Sequence, residues 1–406
     1  MPQSLQIGWI DYGSRDRNKI LSILSLLSAP EAVDELGIGV VRDGFADLLF
    51  PGTSTLQTRA KYFLLVPYIM MELERENILN PKVFLDRLSN EEIALISILK
   101  KDNAEGVIGG RSGEKLQRKP SSIYWNGLNT FGIFQNYSRL SLNGYTRAVC
   151  ALKREERMLS AAGHIDKGEG ADDADKMYCG ASGFWRVPPP PENWRESVTI
   201  ELTDEEAGFL RDRIIKSEHS KDSLLAHILR NNLYEVVTYD DISIIGKKFE
   251  LPQDIREDYE MAQRFAEFIY GANIRFNVIL SDGQNDEANE EWKIWYGSVT
   301  DGFVRNYDIY EAVNRLSISR HNRARMIPFF DKWKKAVLSG DVAVMDNLII
   351  AREIELKGKE RAKLNSENSS WQDGVWLGGR RLQYRFRNTR RLIEDICNGL
   401  GVDKNV

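Results

Sequence analysis

Cysteine is scarce in this 406-residue chain, and the three present, Cys150, Cys179 and Cys397, lie far apart with no spaced pair. That argues against a disulfide framework and fits a reducing compartment. Histidine is nearly as rare. His164, His219, His227 and His321 show no ligand spacing with one another or with cysteine, so no zinc site is legible. Long apolar runs are missing as well: Tyr62 to Met71 is about half a membrane span and is interrupted by Pro67. It reads as a buried helix, and no membrane contact is expected. The opening Met1-Pro2-Gln3-Ser4 lacks the basic and apolar regions of a signal peptide, so the expected location is cytoplasmic.

Catalytic signatures are also wanting. There is no Gly-x-Ser-x-Gly elbow and no kinase set. The loop Gly106 to Lys115 invites comparison with a nucleotide-binding P-loop but fails on spacing, because Glu114 separates Gly113 from Lys115. Asp172, Asp173 and Asp175 lack the glycine and distal glutamate of a calcium loop. No cofactor and no metal are expected. Nothing positive marks an enzyme, although a nuclease built from dispersed carboxylates leaves no trace in one sequence.

What is present is ordinary for a folded protein: 42% hydrophobic and 28% charged residues. The net charge of −5 gives no global attraction for polyanions, so any nucleic-acid contact must come from local clusters. Apolar residues recur mostly at helical spacing. Ile20, Ile23, Leu24 and Leu27 mark one face, and a helix is expected from about Leu56 to Glu76. Thr203-Asp204-Glu205-Glu206 is a capping box, and Pro252 opens a long helix through Ile269. Strand-like alternation is scarce: Val198 to Leu202 is the best case, Tyr384 to Arg387 alternates over four residues, and Leu5 to Ile10 reads as a short strand or an extended lead-in. The expected class is mainly α, multi-helical and two-domain, with a few short β-strands. Residues 1–160 would form a first helical domain and 193–406 a second, joined by a loop with a polyproline turn at 161–192.

Three basic or hydroxyl-rich stretches could bind anions. In Phe50-Pro51-Gly52-Thr53-Ser54-Thr55, a tight turn places Thr53, Ser54 and Thr55 ahead of a helix carrying Arg59 and Lys61. Free amides at a helix start, hydroxyls and a cation make an anion site; the same residues, with Ser54-x-x-Gln57, make an ordinary helix cap. Arg111, Lys115, Arg118 and Lys119 form a basic loop that suits backbone phosphates or plain solvation. Between Arg380 and Arg391 stand six arginines, Arg380, Arg381, Arg385, Arg387, Arg390 and Arg391, interleaved with Tyr384. Guanidinium forks match phosphates and an aromatic can stack on a base; the alternative pairs them with some of the 60 acids. A fourth segment, Arg320 to Arg325, reads as a solvated helix face unless it adjoins another cluster.

Ile7-Gly8-Trp9-Ile10-Asp11, Leu36-Gly37-Ile38-Gly39 with Arg42-Asp43, and the 50–60 stretch resemble an uncharacterised bacterial family known only as a domain of unknown function. Pro120 to Trp125 and the arginine-rich end extend the resemblance. It implies no activity and no catalytic residues, but it associates the chain with antiphage defence neighbourhoods that contain helicases. The resulting expectation is a nucleic-acid-binding accessory subunit, with DNA favoured. The alternatives are a protein scaffold docking a helicase or nuclease, and a cryptic hydrolase.

Overall fold

The computed structural model describes residues 34–100, 105–110, 112–135, 139–161, 183–299, 302–365, 371, 375–377 and 379–402. The expected strand at Leu5 to Ile10, the Ile20–Leu27 helix and much of the 161–192 linker lie outside them. The helices are α1 (Gly39–Leu49), α2 (Tyr62–Arg75), α3 (Pro81–Leu99), α4 (Pro120–Thr130), α5 (Leu142–Ala161), α6 (Asp204–Lys216) and α7 (Leu224–Arg230). They continue with α8 (Gln253–Leu280), α9 (Asp286–Val299), α10 (Ile309–Arg315), α11 (Arg320–Ser339), α12 (Val342–Lys357) and α13 (Phe386–Gly399), with single helical turns between.

The class is mainly helical. No strand forms among the described residues; the one extended pairing is an isolated bridge between Phe134 and Trp185. Val198 to Leu202 runs as irregular chain. Tyr384-Arg385 cannot extend as a strand because both residues adopt left-handed backbone, with φ of 51° and 66°, and α13 starts at once at Phe386.

The chain falls into two compact units, each assembled from separated segments: Met1–Gly44 with Glu260–Gln383, and Phe45–Tyr259 with Tyr384–Val406. The linker expected at 161–192 lies in sequence within the second.

In the second unit, α2 is buried on nearly every side, from Tyr62 to Glu74, as a helix whose first ten residues carry no charge on any face requires. It begins at Tyr62 rather than Leu56, because residues 53–61 fold as an irregular turn instead of a first helical turn. Glu74 at its far end is fully enclosed, accepting from Tyr145 at 2.5 Å and Trp185 Nε1 at 2.8 Å. Glu92 of α3 is equally buried and accepts from the backbone N–H and Oγ of Ser121 at 2.5 and 3.1 Å. Ser121 is the second residue of α4, which starts at Pro120. Burial pushes the Glu92 carboxyl up to about 7 against the opposing pull of those hydrogen bonds. The capping box on α6 forms as expected: Glu206 N–H donates to Thr203 Oγ1 at 3.3 Å, and Thr203 N–H to Glu206 Oε2 at 2.8 Å.

In the first unit the core gathers Phe265, Phe268, Trp295, Phe330 and Trp333, with the Trp295 and Trp333 rings stacked 6.2 Å apart. Helices α11 and α12 form a hairpin whose reversal falls on Gly340, at φ 72°.

Candidate nucleic-acid interface

The 50–61 stretch folds into a closed turn. Gly52 has a φ of 77°, and a Cβ there would sit 2.8 Å from the Phe131 ring, so neither the backbone nor the space admits a side chain. Thr53 turns its hydroxyl back onto the Phe50 carbonyl at 2.7 Å. Gln57 does reach back to the Ser54 N–H, at 3.2 Å, but Ser54 Oγ is buried without a partner, so only half of the expected capping box exists. The Thr58 and Arg59 amides both donate to Tyr124 OH, at 3.0 and 3.1 Å.

The cations of the turn are equally committed. Arg59, only 7% exposed, donates from Nε to both oxygens of Asp395 at 3.0 Å, and the Ala60 N–H adds a third bond to that carboxylate at 2.7 Å. Burial pushes the Asp395 carboxyl above its usual range even with the Arg59 guanidinium beside it. Lys61 is buried against both oxygens of Glu206, at 2.6 and 2.8 Å. The carbonyls of Thr53, Thr55 and Gln57 accept from Arg385 and Asn388. An anion would have to displace these bonds. The turn serves as the seat for α13.

The arginines of the carboxyl-terminal stretch divide between the units. In the first, Arg380 forks onto Glu287 at 2.7 and 3.2 Å and lies over the Trp376 ring, while Arg381 meets Glu267 at 2.6 Å over Tyr270. In the second, Arg385 pairs with Asp47 at 2.6 Å, Arg390 with Asp240 at 3.0 Å and Arg391 with Glu394 at 3.1 Å. Only Arg387 of the six is exposed without an ion pair among the described residues. Tyr384 is 1% exposed, edge-on to Phe45, and offers no face to a base. Several of these pairs are half-exposed and individually weak, so a phosphate could compete for them. They do not, however, form a ready row of unpartnered charge.

Of the basic loop, Arg111 lies outside the described residues. Lys115 and Arg118 are exposed, and Lys119 donates to the Leu116 carbonyl at 3.1 Å.

An unpartnered row does exist on α11. Met326, Phe329, Phe330, Trp333 and Val337 face inward, and the outer side presents His321, Arg325, Lys332 and Lys335 within about 80° of arc at 100° per residue, with Arg320 in the first turn. Arg320, Arg325, Lys332 and Lys335 are exposed and make no ion pair among the described residues. Asp331, the acid within the helix, is half-buried and accepts from Tyr310 OH at 3.3 Å. The first part of this row was visible as the Arg320–Arg325 segment. Lys332 and Lys335 were missed, although spacings of 7 and 10 from Arg325 return to the same helical side.

Other chemistry finds little footing. Among the described residues no three His, Cys, Asp or Glu side chains gather as metal ligands, and no helix is long and apolar enough to cross a membrane. A cleft of about 540 Å³ between α2 and Pro189 to Pro191 is bordered by Glu72, Trp194 and Arg195. Arg195 there is already held by Glu72 at 2.5 Å and by Glu91 at 3.1 Å.

The Leu36-Gly37-Ile38-Gly39 stretch also has a structural explanation. Asp34 accepts from the Ile38 and Gly39 amides at 2.7 and 2.8 Å, capping α1, and a Cβ on Gly39 would meet its carboxylate at 2.7 Å. Gly37, at φ 70°, lies against the Arg352 guanidinium, which donates to the Leu36 carbonyl at 3.0 Å. Residues 4–151 match the model of a family of unknown function, DUF6361. No curated protein and no solved structure matches the chain. The DUF6361 segment contains the Leu36–Gly39 and 50–60 signatures and Pro120 to Trp125. It stops short of the arginine-rich end and of α11. Where the DUF6361 signature is described, its glycines and polar residues build turns, caps and close approaches.

Proposed function

We propose that this protein is a nucleic-acid-binding accessory subunit, with DNA as the ligand, acting beside a helicase or nuclease in a bacterial antiphage system. The observation that carries the reading is the row of unpartnered cations on α11. An ion pair must be broken before an arginine can grip a phosphate, whereas Arg320, Arg325, Lys332 and Lys335 need only shed counterions. The family resemblance supplies the defence association and nothing on the ligand.

The test is fluorescence anisotropy of the full chain with labelled duplex and single-stranded DNA at two salt concentrations. Four cations displacing the condensed counterions of the DNA predict a slope of up to about −3.6 in log K against log salt, which is up to roughly 150-fold weakening from 50 to 200 mM. Replacing the four cations by glutamine should abolish binding at low salt. Equal binding by that variant, or no binding by the parent, refutes the reading.

One feature favours the scaffold alternative. The last turns of α5 expose Leu152 at 46%, Met158 at 73% and Leu159 at 42%. Nuclease-resistant co-purification of a partner, lost in Met158→Asp, would support that role in place of nucleic-acid binding.

A further inference from the structure

The geometry around α10 and α11 specifies more than a basic surface. α10 ends at Arg315 and α11 begins at Arg320, leaving a turn of four residues, Leu316-Ser317-Ile318-Ser319. Ser317 adopts left-handed backbone at φ 51°, and Ile318 N–H reaches back to the Val313 carbonyl at 3.4 Å, the closure that ends a helix sharply. Ser319 then caps α11, accepting from Asn322 N–H at 3.4 Å.

Three further features hold the two helices together. Ala312 and Val313 are fully buried on α10, and Ile318 tucks inward from the turn. Arg323 spends its guanidinium on the joint itself, donating to the Ile318 carbonyl at 2.7 Å, to Asn314 Oδ1 at 2.9 Å and to the Val313 carbonyl at 3.4 Å. It is therefore a clamp, not part of the free row. Met326 and Phe329 anchor the inner side of α11.

What this joint presents outward is Arg320, His321, Ala324 and Arg325, all exposed on the first two turns of the second helix. Two short-linked helices with a readable second helix are the architecture that seats a helix in the major groove. An arginine there can bond guanine O6 and N7 together, and a small residue such as Ala324 permits close approach to a thymine methyl. Lys332 and Lys335 lie farther along, where a helix of about 30 Å leaves a groove about 12 Å wide and passes over phosphates. On α11 itself no Phe, Tyr or Trp is exposed among the described residues, and Tyr310 of α10, 45% exposed, is tied by its hydroxyl to Asp331 at 3.3 Å, so a row of ring faces of the kind that single strands stack on is not on offer.

We propose that α10, the 316–319 turn and α11 form a helix-turn-helix that places the first turns of α11 in the major groove of duplex DNA. Arg325 and His321 face base edges and Lys332 and Lys335 contact the backbone. The assignment rests on the nucleic-acid reading above and adds the duplex, the groove and base selectivity.

The experiment is selection of a randomised 30-bp duplex library by the full chain, followed by anisotropy with the enriched duplex, a scrambled duplex and the enriched single strand. The expected result is an enriched motif bound at least tenfold more tightly than either control. Arg325→Ala should erase that preference, a loss of about 5- to 150-fold on the enriched duplex, while changing the scrambled duplex by less than about threefold. Lys332→Ala with Lys335→Ala should weaken both duplexes alike. Circular dichroism of the variants confirms that exposed substitutions leave the fold intact. No enrichment, or a single strand bound as tightly as duplex, overturns the groove assignment while leaving the functional proposal standing. An Arg325→Ala variant that keeps its preference does the same. Failure to bind any of the three probes overturns both.

Discussion

Asp395→Asn would separate a structural turn from an anion site at residues 50–61. Asp395 is 3% exposed and receives three short bonds, two from Arg59 Nε at 3.0 Å and one from Ala60 N–H at 2.7 Å. Asparagine keeps the shape but removes the charge, leaving a 7%-exposed guanidinium uncompensated. The expected loss is about 3–5 kcal/mol. Replacing both partners, Arg59→Met with Asp395→Leu, removes the buried charge altogether. It orphans the Ala60 amide, at about 1–3 kcal/mol, so the double variant should be more stable than Asp395→Asn. That ordering agrees with the raised Asp395 carboxyl, in which desolvation outweighs the attraction of Arg59. Urea unfolding followed by tryptophan fluorescence measures all three proteins. A loss below about 1 kcal/mol in Asp395→Asn would contradict the burial argument. Recovery of the lost stability by added phosphate would show instead that Arg59 can take an external anion.

Two further substitutions probe the same unit. Because the folded Glu92 carboxyl titrates near 7 and an ordinary one near 4.5, the folded state holds the proton more tightly, and stability should fall as pH rises from about 5 through 7. Glu92→Gln should flatten that dependence and gain up to about 3 kcal/mol at pH 8, read as melting temperature against pH; a flat parent profile would refute it. Gly52→Ala must force a methyl against Phe131 from a left-handed backbone, and should cost about 2–3 kcal/mol by urea unfolding. A neutral Gly52→Ala would mean that the 50–52 turn relaxes freely.

The helical class and many local devices were legible in the sequence. The Thr203–Glu206 box needs only four adjacent residues, and helical spacing located most of the elements described. Pairing was not legible. Arg59 finds its carboxylate at position 395 and Arg385 finds its own at 47, and no local pattern encodes such distant partners. The alternation Tyr384-Arg385-Phe386-Arg387 suggested a strand, yet two left-handed residues and the burial of Tyr384 and Phe386 start a helix there instead. The α10–α11 joint escaped notice because Ser317 stands where a glycine would have announced left-handed backbone. The closing groups come from Arg323, which as bare sequence is one more cation in a basic run.

The way α13 completes the second unit has a consequence for biosynthesis. Residues 45–259 leave the ribosome well before residues 384–406 of the same unit, and Arg59 then waits for a counter-ion that is not translated until residues 260–383 have followed. During that interval the 50–61 turn lacks Asn388 against its carbonyls and Asp395 against its guanidinium. The nascent chain therefore carries an unsealed edge, a window in which a chaperone or a partner segment could occupy the berth of α13.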